Sequence, residues 1–166
     1  MGRLFDAVAA ILGVRDVVSY EAQAAVELEQ RTDPNEPGCY RLAASDGLPC
    51  RLQGGELVRA VVDDLQDGVA IARIAGRFHN ALARAVVEVC ERLRVATGHS
   101  LVALSGGVFQ NALLLERTIV GLEQRGFRVL THTRVPANDG GISFGQAVVA
   151  AAKLRRQAAG SSASVS

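Results

Sequence analysis

The stretch Leu101-Val102-Ala103-Leu104-Ser105-Gly106-Gly107-Val108-Phe109-Gln110-Asn111 decides the fold. Its first four residues form an unbroken apolar run, short and suited to a buried parallel strand. Ser105-Gly106-Gly107 then turns the chain into a helix carrying Leu115, Ile119 and Leu122, which Gly126 closes. Phe127 to Thr131 reads as the next strand. The loop Arg134-Val135-Pro136-Ala137-Asn138-Asp139-Gly140-Gly141 leads into a last helix from Ile142 to about Leu154. This β-α-β-α order implies an α/β fold with a mainly parallel sheet and crossover helices.

The first glycine corner has a physical use. Leaving a strand sharply and starting a helix exposes backbone N–H groups beside the positive end of a helix dipole. Glycines there let an anion come close to the backbone. The corner suits a phosphate or ribose edge, and it equally suits close packing of a helix on a sheet. Neither a Walker A pattern nor G-x-G-x-x-G is present. Asn111, read as one turn into the helix, is either a partner for a base or ribose or a solvated amide. The second corner, Asn138-Asp139-Gly140-Gly141, repeats the geometry with a carboxylate added. Asp139 is either an N-cap or a ligand for a metal that bridges nucleotide phosphates. Two such corners at the carboxyl ends of adjacent strands are expected to converge on one cleft.

Upstream the pattern is helical. Leu4, Val8 and Ile11 mark a first helix stopped by Gly13, with Asp6 off the stripe and facing outward. Ser19 reads as the N-cap of a second helix through Ala22, Val26 and Glu29, with Glu21 in its first turn favouring the dipole. After the loop Thr32 to Gly38, the segments Cys39 to Ala44 and Leu48 to Leu52 are expected to pair across Ser45-Asp46-Gly47. A helix through Leu57, Val61 and Leu65 ends at Gly68. Ile71, Ile74, Phe78, Leu82, Val86, Val89 and Leu93 then predict a helix about 40 Å long. The organisation expected is a single lobe over 1–154, helical over 1–98 and β-α-β-α over 101–154, with a disordered tail over 155–166.

A chain of 166 residues, 49% apolar and 21% charged, is globular. With 18 basic and 17 acidic residues, there is no basic field to hold a nucleic-acid backbone. Cys39, Cys50 and Cys90 are too widely spaced for a zinc knuckle and are expected as buried free thiols in a reducing cytoplasm. No apolar stretch approaches the ~20 residues needed to span a bilayer. Asp6 interrupts the one segment resembling a signal peptide, Leu4 to Leu12. A cytoplasmic protein is expected. His79, His99 and His132 read as isolated, and no nucleophile–base pair stands out.

Five stretches, in order, carry a resemblance to a known family. They are Met1-Gly2-Arg3-Leu4-Phe5-Asp6-Ala7-Val8-Ala9-Ala10, Val18-Ser19-Tyr20-Glu21-Ala22-Gln23-Ala24-Ala25, Arg77-Phe78-His79, Leu104 to Asn111, and Asn138-Asp139-Gly140-Gly141-Ile142. Together they resemble the C-terminal part of the HypF-type carbamoyltransferases of nickel–iron hydrogenase maturation. The resemblance implies the second lobe of an actin/sugar-kinase/heat-shock-ATPase-like fold with a helical insertion, related to enzymes that make threonylcarbamoyl-adenosine in tRNA. It implies ribose contacts at Asp6 and Glu21, nucleotide contacts at Ser105, Gly106, Gly107 and Asn111, and a metal ligand at Asp139.

Family members use ATP and carbamoyl phosphate to form a carbamoyl-adenylate, then pass the carbamoyl group to a C-terminal cysteine of HypE. The partners implied are therefore a HypE-type protein and a separately supplied N-terminal HypF portion. The latter follows because this chain matches only part of the family's last domain and lacks the His-rich segment and first-lobe phosphate loops; a truncated or split gene is the expectation. The alternative is a non-catalytic half-domain that binds nucleotide or HypE. One departure is local: the family's usual Tyr-Glu-Gly-Gln is Tyr20-Glu21-Ala22-Gln23 here.

Overall fold

The computed structural model describes residues 1–162 except Asp46 and Leu48. Six helices and four short strands are present among the described residues: α1 (Gly2–Ile11), α2 (Gln23–Gln30), β1 (Ala43–Ala44), β2 (Leu52–Gln53), α3 (Gly54–Gln66), α4 (Ile71–Thr97), β3 (Leu101–Ala103), α5 (Ala112–Gln124), β4 (Arg128–Leu130) and α6 (Ile142–Ser162). The architecture is mixed α/β, as the sequence implies. β3 and β4 pair in parallel, with Leu101 opposite Arg128 and Ala103 opposite Leu130. β1 and β2 form a two-residue antiparallel pair, Ala43 with Gln53 and Ala44 with Leu52. That pair is the expected hairpin in shortened form, and Asp46 and Leu48 of its connection lie outside the described residues.

The core sits among the helices. Phe5, Val8, Ala9 and Leu12 of α1 and its end, Ala24 and Leu28 of α2, Leu57 and Val61 of α3, and Ile74, Phe78 and Leu82 of α4 are all buried, joined by Leu114 of α5. A smaller cluster of Val87, Leu104, Leu122 and Phe127 lies where α4 and α5 cover the parallel strands. Burial on α4 moves to Ala85 and Val87, while Leu93 is exposed, because its second half covers only the narrow sheet.

The parallel strands are not buried on both faces, contrary to the expectation from their apolar run. Val102 and Val129 are half-buried on the helix side, while Leu101 and Leu130 face the other way and are 54% and 43% exposed. Nothing among the described residues covers that second face. α6 is exposed along its described side chains, including Ile142, Phe144, Val148, Val149 and Leu154. It also continues past the expected end near Leu154 as far as Ser162. Arg155-Arg156-Gln157-Ala158-Ala159 is a run of strong helix formers, which outweighs the breaker content of the tail. Residues 163–166 of the expected disordered tail lie outside the described residues.

Three further expectations are corrected. Ser19 does not cap α2. The residue before Gln23 is Ala22, in the left-handed region at φ 65°, and the Ser19 N–H donates instead to Gln23 Oε1 at 2.8 Å. Glu21 consequently lies in the turn ahead of α2 rather than in its first turn. The cysteines are free but not buried: Cys39 is exposed, and Cys50 and Cys90 are half-buried. His79 is not isolated. It is completely buried, stacked edge-on against Phe5 and Phe78, with ring centroids 5.4 and 5.7 Å away.

The loop after α2 is fastened to α4 by charge. Glu36, buried to 5% exposure, pairs with Arg73 at 2.6 Å and Arg77 at 3.3 Å, and Arg77 reaches Asp64 of α3 at 2.7 Å. The hydrogen bond from Arg73 leads the effects that hold the Glu36 carboxyl down at about 2. Gly76, inside α4, is needed here: a Cβ on it would stand 2.7 Å from Glu36 Cβ and 3.0 Å from Asp33 O.

Ala22 is the only non-glycine residue with positive φ among the described residues. An L side chain there costs about 1–2 kcal/mol, so Ala22→Gly is expected to raise stability by about 1 kcal/mol, read as a higher urea midpoint at unchanged slope. A second expectation concerns pH. Burial lowers the His79 value to about 4, against 6.5 for a free imidazole. Between those values the unfolded chain binds a proton that the folded chain does not. Stability is therefore full above about pH 6.5 and falls by about 3 kcal/mol as pH drops to about 4. Glu36 adds a separate loss at lower pH, from its ordinary 4.5 toward 2. Urea midpoints across this range should show the upper slope disappear in His79→Gln and the lower one persist.

Candidate functional site

Both glycine bends lie at the carboxyl ends of the parallel strands, and they touch. The Gly106 N–H donates to Ala137 O at 2.8 Å, and a Cβ on Gly107 would stand 3.9 Å from Asn138 Cβ. The expectation that the two corners share one place in the fold is met at the level of the backbone. Gly106 sits at φ 103°, a conformation that side-chain-bearing residues rarely adopt. It feeds a 3-10 turn, Gly107–Gln110, before α5 starts.

Asn111 is not one turn into the helix. It is the N-cap of α5, its Oδ1 accepting from Leu114 N at 2.7 Å, and it is 8% exposed. Its Nδ2 lies 3.1 Å from His79 Nε2. The carboxamide therefore points into the protein, behind the Gly106-Gly107 bend. His79 Nδ1 donates in turn to Ala75 O at 2.8 Å, since a carbonyl oxygen only accepts.

At the second bend Asn138 does the capping, accepting from Gly140 N at 3.1 Å. Asp139 is the first residue of the following 3-10 turn and is exposed. Its carboxylate enters no hydrogen bond or ion pair among the described residues, so capping does not account for it. The residues present do not by themselves suit a metal ion. Among the described residues no group of three or more His, Cys, Asp or Glu side chains stands together, and one carboxylate is a weak site alone.

Asp6 is exposed on α1, as its place off the apolar stripe implies, and Glu21 is exposed in the turn before α2. No hydrogen bond or ion pair joins either to a glycine bend among the described residues. Asp6 is linked to the first bend through the interior: Phe5, next to it, packs on His79, which meets Asn111 behind that bend.

Two residues escaped the sequence reading. His132, just beyond β4, pairs with Ser105 Oγ at 2.9 Å from its Nε2. The pair bridges the ends of β3 and β4 beside a cavity of about 200 Å³ lined by His132, Thr131, Gln110, Phe109 and Pro136 among others. Twenty-seven residues separate them in sequence, and only the parallel register joins them. His79 had one legible signal, a polar residue directly after Phe78 on the apolar stripe.

Comparisons with known proteins bear on the fold and the family. The family described as "Carbamoyltransferase, Kae1-like Domain, second subdomain" matches residues 1–146. The carbamoyltransferase HypF of Rhodobacter capsulatus is 43% identical over 159 residues, which is 92% of this chain and 20% of the relative. That of Synechocystis is 35% identical over 148 residues, 88% of this chain and 18% of the relative. A HypF homolog of Cupriavidus necator is 39% identical and is covered to 40% of its length. Among solved structures, full-length HypF in a phosphate- and nucleotide-bound form superposes with a TM-score of 0.86 at 41% identity, over 90% of this chain and 20% of that one. HypF of T. kodakarensis gives 0.79 at 30% identity. The chain thus spans about a fifth of the length of most of these relatives, and over that span it belongs to the HypF carbamoyltransferase family, matching the second subdomain of the Kae1-like domain.

Proposed function

We propose that the chain forms the nucleotide-facing half of a carbamoyl-transfer site, completed by protein outside its span. The observation that carries the reading is the contact of the two bends, Gly106 N to Ala137 O, with Asp139 exposed beside it. Its kinship with a solved HypF that holds nucleotide supports it further.

In this reading Gly106 and Gly107 offer close backbone approach to the phosphate side of ATP or carbamoyl-adenylate. Ser105 adds a hydroxyl oriented by His132. Asp6 and Glu21 accept hydrogen bonds from ribose hydroxyls, and Asn111 serves the phosphate contact from behind, by holding the bend. The transfer itself is a substitution at the carbamoyl carbon. The C-terminal thiol of a HypE-type partner gives its proton to solvent, its sulfur forms the new C–S bond, and the C–O bond to phosphate breaks, the electron pair leaving on the phosphate oxygen of AMP. A divalent cation would neutralise charge on the phosphates, with Asp139 supplying one ligand and the remaining donors coming from the completing portion. A narrower reading, nucleotide binding without transfer, is favoured by the incomplete donor set among the described residues.

Calorimetric titration with ATP and magnesium tests the common part. Binding is expected, with Asp6→Ala weakening it roughly tenfold, the scale of a lost charge-assisted hydrogen bond. Absence of heat from the unsubstituted chain at millimolar ATP would remove the narrower reading. The transfer reading then needs reconstitution. Adding a separately made N-terminal HypF portion should give ATP- and carbamoyl-phosphate-dependent modification of HypE, seen by intact mass. Phe144→Ser with Val148→Ser on the bare α6 face should weaken that complementation; no modification at high concentration of both pieces would leave only the narrower reading.

A further inference from the structure

A one-directional hydrogen-bond relay runs through the interior beneath the first bend. It begins and ends on backbone groups whose polarity is fixed. Ala75 O can only accept, so His79 Nδ1 carries the proton that meets it at 2.8 Å. Leu114 N can only donate, so the Asn111 atom 2.7 Å away is its Oδ1. Asn111 Nδ2 must then face the ring, and at 3.1 Å it donates to His79 Nε2. Only one tautomer and one amide orientation satisfy both ends. A doubly protonated ring would set N–H against N–H at the centre.

The relay spans separate elements. His79 lies in the first third of α4, its ring packs edge-on against Phe5 of α1 and its Nδ1 lies 3.4 Å from Thr32 Oγ1, just past α2. Asn111 heads α5 and closes the 3-10 turn by donating its own N–H to Val108 O at 3.3 Å. Neither His79 nor Asn111 has an unpaired buried side-chain nitrogen or oxygen. The arrangement fixes the start of α5, and through it the Gly106-Gly107 bend, relative to the helix that carries Asp6.

We infer that His79 is a positioning residue for the nucleotide corner: it acts through Asn111 to hold the first glycine bend at a set distance from α1. The inference rests on the nucleotide reading for its purpose and on geometry alone for its mechanism. Substitution should therefore act locally at the corner, and a side chain with one donor and one acceptor should replace the imidazole. Glutamine meets that requirement, and leucine of similar bulk does not.

The experiment uses the whole chain, with amide hydrogen exchange, ring nitrogen shifts and ATP titration read in parallel. In His79→Leu, exchange at Leu114 and across Gly107 to Asn111 is expected to speed up roughly 2- to 30-fold relative to the Leu57 and Val61 amides of α3, the scale of a weakened N-cap. His79→Gln should restore the unsubstituted pattern. Asn111→Ser keeps a capping oxygen but drops the donor to the ring, so adding His79→Leu in that background should change Leu114 exchange no further. Asn111→Asp should draw a second proton onto the ring and raise its titration by about a unit or more, which a ring that merely fills space would not do. ATP affinity should fall in His79→Leu and recover in His79→Gln. Unchanged local exchange in His79→Leu, a protonated Nε2 in the unsubstituted chain, or ATP binding indifferent to His79→Leu would each overturn the assignment. Failure of the unsubstituted chain to bind ATP would strike the nucleotide reading instead, and the exchange and titration results would still decide the role of His79.

Discussion

The neutral imidazole of His79 is the point on which four helices agree. A buried charge in an apolar interior is far costlier than a buried, fully paired polar group, and this ring is fully paired only in its neutral form. Once it is neutral, its acceptor nitrogen orients Asn111, Asn111 starts α5, and the start of α5 sets the exit of β3. Phe5 and Phe78 enclose the ring edge-on, at geometries favourable to aromatic pairs. With aromatic residues only 4% of the chain, that one small cluster carries much of the shape-specific packing.

The rest of the architecture divides into a well-enclosed helical part and a sparsely covered α/β part. In the helical part, Glu36 with Arg73 and Arg77 ties a long irregular loop onto α4, and Gly76 lets that loop approach the helix axis. In the α/β part only one face of a two-stranded parallel sheet is covered. Parallel sheets elsewhere are buried on both faces, and the apolar side chains of α6 are as bare as Leu101 and Leu130. The division agrees with a span of about a fifth of the full-length relatives.

The candidate site groups lie at the carboxyl ends of the parallel strands. The glycine bends present backbone at the strand ends, Ser105 and His132 bridge those ends, and Asp139 stands exposed because Asn138 has taken over the capping. No single residue there is a complete catalytic device. What the corner offers is close approach to the backbone at Gly106 and Gly107, with the exposed Asp139 carboxylate on the neighbouring bend.

Much of this was legible in the order of residues. Unbroken apolar runs, glycine corners and three-to-four-residue spacing placed α1, α3, α4, β3, α5, β4 and the start of α6, because those signals are local and follow from backbone geometry. The motif order pointed to the family for the same reason. What the sequence left open depended on distance in space. Whether Asn111 faced ligand or interior turned on His79, 32 residues away. Whether Asp139 was a cap turned on which neighbour reached Gly140 first. The Ser105–His132 pair exists only because two strands lie side by side. Local periodicity fixes which elements form; the pairing of buried donors with acceptors, available only after the elements pack, decided which polar side chains turn inward and which remain free to meet a ligand.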